Sequence, residues 1–147
     1  MVYLKDHSII LTKKNIKEKS AIIYILTKNY GIKKTIAEGI NRPESKLLTT
    51  LQPGSVGKIF LVGEENTFKL LSFLPYKIPI KVFKLYPYIY LWALRFLTFF
   101  NFLSISENFW GIIIKLDKYV LKFKRIFPEW YMLQVFKELG MEPNLFT

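Results

Sequence analysis

Apolar and polar positions along the chain fall into two textures that meet near residues 75–80. The first half carries five short apolar runs, at 8–12, 21–27, 32–37, 57–62 and 67–73, which read as strands. Lys28-Asn29-Tyr30-Gly31 separates the second run from the third, and Asn and Gly there supply the positive φ angles of a tight hairpin. Gly63-Glu64-Glu65-Asn66 is a second hairpin signal, between the fourth and fifth runs. Several runs are apolar on both faces of the strand alternation, which suits a closed or strongly coiled barrel better than a half-wet flat sheet. Five strands joined by a hairpin, a long excursion and another hairpin fit an OB-type barrel. An SH3-like barrel would give a similar pattern.

Beyond the boundary the period changes. Pro75, Pro79 and Pro87 punctuate a connector, and the run at 88–103 is almost wholly apolar. Ser104 and Glu107 have capping-box spacing for a helix that places Phe109, Ile113, Leu116 and Val120 on one face, with Lys115, Lys118 and Lys122 interleaved. Pro128 suits the first turn of a third helix at 129–139, which Gly140 terminates and Pro143 keeps from continuing. Three such helices must pack on one another and on the barrel to bury their apolar faces. The expected fold is therefore α+β, with an OB-type barrel over residues 1–77 and a small helical domain over 78–147.

The run at 88–103 approaches the length of a spanning helix. Arg95 near its middle argues against that, because a charge there costs about 2.5–3.5 kcal/mol on insertion scales. A buried helix in a small bundle is the preferred reading.

Charge changes the picture more than size does. The 147 residues hold 22 Lys and Arg against 11 Asp and Glu, a net charge of +11. Such a surface attracts polyanions, nucleic acid or anionic lipid. There is no cysteine, so disulfides, thiolate metal sites and cysteine nucleophiles are excluded. The N-terminus lacks the layout of a signal peptide, which makes a cytoplasmic location the default.

Catalytic patterns are missing. His7 is the only histidine and stands in a polar segment without a cluster around it. Glu64-Glu65 is explained by a solvated hairpin tip, and no Gly-rich phosphate loop occurs. No cofactor, metal or small-molecule substrate is implied, and the chain is not expected to be an enzyme.

A nucleic-acid surface has better support. Residues 31–53 run from an apolar strand, turn at Gly39, and pass through a polar loop carrying Arg42 and Lys46 before Leu51-Gln52-Pro53. A basic loop on a small β-framework suits a phosphate backbone, and OB grooves add aromatic platforms for bases. Arg42 and Lys46 lead the candidates, followed by Lys33, Lys34, Lys28 and Lys58. Tyr24, Tyr30 and Phe60 are interleaved with them, and Tyr24 and Phe60 are assigned to the core. Arg42 can offer phosphate a bidentate fork.

These segments also carry a family resemblance. Thr27-Lys28-Asn29-Tyr30-Gly31, then Gly39-Ile40-Asn41-Arg42-Pro43-Glu44-Ser45-Lys46-Leu47, then Leu51-Gln52-Pro53 resemble the N-terminal pattern of the RecO family of recombination-mediator and DNA-repair proteins. The stretch from Leu133 to Leu145, with Leu139-Gly140 and Pro143-Asn144-Leu145, is similar to that family's helix end. Residues 75–130 match only in helical character. Glu44 stands where the family commonly has a basic or neutral residue, and Gly54 where an aromatic is usual, so either could weaken DNA contact. The family's zinc-binding cysteine module has no counterpart, which implies a short form. The resemblance implies a non-enzymatic mediator that binds single- and double-stranded DNA, anneals strands, and loads recombinase with RecR and single-strand-binding protein.

An interaction module is the alternative. Trp92, Phe96, Phe99, Phe100, Phe109 and Trp110 would then line a groove for a partner's hydrophobic tail, although packing together as core accounts for most of them.

Overall fold

A computed structural model of the protein describes residues 1–17, 20–38, 50–64, 67–102 and 104–141. Five strands, β1 (Val2–Lys17), β2 (Ser20–Thr27), β3 (Gly31–Glu38), β4 (Val56–Glu64) and β5 (Thr67–Lys77), close into a barrel in the order β1-β2-β3-β5-β4. Neighbours are antiparallel except β3 and β5, which run parallel. This is the OB-type arrangement. A simple meander would have paired β3 with β4.

β1 extends well beyond the apolar run at 8–12 because it serves both sides of the barrel. Its first part pairs with β4 (His7↔Lys58) and its second with β2 (Lys14↔Ile22). A register shift between Ile10 and Thr12 bends the strand as it passes from one partner toward the other.

The double-sided apolar pattern has a direct cause. Ile10, Ile23, Ile25, Ile59, Leu61 and Phe73 fill the barrel interior, joined by Leu51. Ile9, Leu11, Leu26 and Val56 point the other way, into a second core shared with the helices. Strands sandwiched between two cores have few outward positions left to be polar.

The described residues hold five helices rather than the expected three: α1 (Ile80–Leu85), α2 (Pro87–Leu97), α3 (Glu107–Ile114), α4 (Leu116–Phe123) and α5 (Phe127–Glu138), with a 3₁₀ turn at Lys124–Ile126. The apolar run at 88–103 leaves the helix after Leu97, and Phe100 and Phe102 turn back to join the same aromatic core. No helix among the described residues is long and apolar enough to cross a membrane.

The cap of α3 also differs from the expected one. Ser106, not Ser104, accepts the Phe109 N–H at 3.1 Å, which puts Glu107 at the first helical position instead of the third. The returning carboxylate of the capping box comes from α5: Glu138 accepts from the Ser106 N–H at 3.1 Å and from its hydroxyl at 2.8 Å. A side chain 32 residues away thus completes a motif usually closed locally.

Pro128 lies in the first turn of α5, and Gly140 ends it at φ +77°. The Gly140 N–H donates to the Lys137 carbonyl at 3.0 Å and the Met141 N–H to that of Phe136 at 2.8 Å, the paired bonds of a Schellman end. Pro143 lies outside the described residues.

Gly54 joins barrel to helices. It has φ +90°, donates to the Ile10 carbonyl at 2.7 Å, and lies so close to Tyr90 that a Cβ would overlap the phenol ring. A glycine at position 54 therefore serves close packing against α2. A second tie comes from Lys77, whose Nζ donates to the Ile114 carbonyl at 2.7 Å and to Asp117 at 2.6 Å.

Candidate nucleic-acid interface

Cross-strand register builds the outer surface of β1, β2 and β3 from two rows. Thr12, Tyr24 and Lys34 form one, and Lys14, Ile22 and Ile36 the next. Paired residues share a face, so Lys14 and Lys34 project from the same wall. Facing them is the end of α2, with Arg95 in its last turn and Thr98 and Phe99 just beyond.

Two adjoining clefts of about 590 Å³ each lie between these walls. Tyr24, Lys34, Thr98 and Phe99 line both. One continues past Lys13, Lys14 and Arg95. The other continues past Tyr30, Lys33, Phe68 and Phe102. No carboxylate lines either cleft, and none of the five cations is ion-paired among the described residues. Lys33 lies over the Phe68 ring, 5.4 Å from its centre. Burial lowers the Lys13 ammonium below the ordinary lysine value, so a bound anion would restore part of the solvation it has lost.

The clefts sort the residues expected from sequence. Lys33 and Lys34 meet there. Lys28, at the β2–β3 hairpin, is instead held 3.0 Å from Glu107 at the start of α3. Lys58 stands on β4, flanked by His7 and Leu74, and lines neither cleft. Tyr24 is half-buried: it packs on the helical core and also lines both clefts, so the core assignment covers only part of its surface. Phe60 is half-buried outside the barrel core, with Lys5 Nζ 5.6 Å from its ring centre. Arg42, Lys46 and Glu44 lie outside the described residues. His7 is exposed, its Nδ1 3.2 Å from the Tyr76 hydroxyl.

Lys13, Lys14, Arg95 and Phe99 escaped the sequence reading of the site. A signal existed for three of them. Lys13-Lys14 closes an apolar run, and Arg95 is the only charge between residues 88 and 103. Their convergence depends on α2 docking across β1, which no local pattern encodes.

The family model described as "Recombination protein O N terminal" matches residues 1–74. The chain belongs to the RecO family. The match covers the whole barrel up to β5, so the cationic strand wall lies inside the RecO segment and the α2 wall outside it. Membership places the chain in a family of DNA recombination and repair. No curated protein matches it.

Of the aromatic side chains considered for a partner groove, Phe109 and Trp110 are buried. Phe96 and Phe100 make ring contacts with Trp92, Tyr131 and Phe102. Phe99 stands apart at 76% exposure.

Proposed function

We propose that this RecO-family protein is a non-enzymatic DNA-binding mediator whose contact surface is the cleft between the β1–β2–β3 wall and the end of α2. The observation that carries this reading is the convergence of Lys13, Lys14, Lys33, Lys34 and Arg95, without a carboxylate, around exposed aromatic surface. Cations of this kind hold phosphates with little sequence preference. Neutralising two strands at once lets complementary bases meet, which is the physical basis for annealing. Loading of recombinase with RecR and single-strand-binding protein is the role that follows from the family. Arg42 and Lys46 extend the same proposal to the polar loop.

A labelled oligonucleotide titrated at several salt concentrations tests it. Lys34→Ala/Arg95→Ala should weaken binding and lower the salt slope by about 0.7 for each phosphate contact removed. Arg42→Ala/Lys46→Ala should do the same if the loop contributes. No binding at low salt, or unchanged slopes in both double variants, would refute the reading.

A further inference from the structure

The two walls of the cleft differ in kind. Lys14 and Lys34 stand on the strand wall, and Lys13, which pairs with Ile23 on the other face of β1, lines the same cleft. The opposite wall is the carboxyl end of α2, where the helix leaves its partial negative charge. Thr98 covers some of it, donating its hydroxyl to the Arg95 carbonyl at 2.6 Å, and Arg95 offsets more. Arg95 is a single cation beside that helix end, whereas Lys14 and Lys34 stand together on the strand wall, so a phosphate is favoured along the strand wall with Arg95 reaching it from the other side. The feature that the helix wall offers freely is Phe99, a 76% exposed phenyl ring lining both clefts.

We infer that the cleft is polarised for a single strand, with the backbone along the lysines of the strand wall and an unpaired base stacked on Phe99. This rests on the cleft being the nucleic-acid surface. Stacking needs a free base face, which a paired duplex denies to a side chain approaching from outside, and any base can provide it. Phe99 is thus a specificity residue: it makes the site prefer unpaired strands without reading sequence. Its exposure has a physical cost in water and does nothing for the core, since its ring takes no part in the aromatic cluster formed by Phe96, Phe100 and Phe102.

The test compares a fifteen-nucleotide oligothymidylate with a duplex of the same length at one salt concentration. Wild type should bind the single strand more tightly. Phe99→Ala should weaken single-strand binding about fivefold or more, leave duplex binding within twofold, and leave the salt slope unchanged. Phe99→Trp should retain the preference and show quenched fluorescence on binding. An exposed side chain can be removed without unfolding, and circular dichroism verifies that. Equal losses for single strand and duplex, or none for either, would overturn the stacking role. If Lys34→Ala/Arg95→Ala still lowers the salt slope in that case, the electrostatic reading survives alone. If it does not, the cleft itself is the wrong site.

Discussion

Asp6 shows how much one side chain can organise. It is 6% exposed, yet its carboxylate accepts from the Asn29 N–H at 2.6 Å, the Asn29 amide at 2.9 Å and the His7 N–H at 2.8 Å. These bonds hold the β2–β3 hairpin against β1, and with it Lys28 and Tyr30. Asp6→Ala should cost about 1–2 kcal/mol, because three part-buried hydrogen bonds to a charged acceptor are lost, while Asp6→Asn should cost less. Urea denaturation of the two variants measures the difference; equal and small losses would show that the carboxylate is dispensable. The hairpin position was legible from Asn29 and Gly31. Only Gly31 takes a positive φ, at +75°. Asn29 is there to meet Asp6, 23 positions earlier, a contact that local turn chemistry cannot reveal.

Elements end where tertiary partners let them. The capping-box spacing from Ser104 to Glu107 fits the sequence rule, but the helix starts at Glu107 because Glu138 of α5 is placed to satisfy Ser106. Ser106→Ala should therefore lower stability by about 1–2 kcal/mol, while Ser104→Ala should be near neutral. Thermal melts of both variants decide between the two caps, and a larger loss at Ser104 would reinstate the first. The end of α5 was readable because Gly140 takes the positive φ that lets its own N–H and that of Met141 bond back to Lys137 and Phe136. Where recognition needs only neighbours, sequence suffices. Where a helix is cut by a distant carboxylate or by aromatic packing, as after Leu97, it does not.

Across the whole molecule, buried tyrosines in the core beside the barrel impose a pH dependence. Burial, and then the Asp117 charge, raises the Tyr90 phenol far above its ordinary value. Tyr131, fully buried and donating to the Ala93 carbonyl at 2.6 Å, is raised chiefly by burial and secondarily by Tyr90. In the unfolded chain both lose protons near pH 10 while the folded state keeps them. Their contribution to stability is therefore complete below pH 10 and falls as pH rises above it, by at most about 1.4 kcal/mol per pH unit for each tyrosine. Urea midpoints measured from pH 8 to pH 11 should drop at the alkaline end. Tyr131→Phe and Tyr90→Phe should flatten that drop, and an unaltered profile in both would contradict it.

What the chain determined by itself was whatever depends on neighbours in sequence. It set the strand count, the two hairpins, the switch to helices after residue 77, the net positive charge, and the motif segments that mark the RecO family. These follow from side-chain period, turn chemistry and formal charge, which are local or additive properties. Tertiary structure alone decided which cations lie together. Strand register put Lys14 and Lys34 on one wall, Glu107 took Lys28 into an ion pair, and β4 placed Lys58 beside His7, away from both clefts. The docking of α2 across β1 then brought Arg95 and Phe99 to the opposite side of the cleft. Convergence of this kind arises from chain closure over long separations, and a cleft exists only once both of its walls have been packed in place.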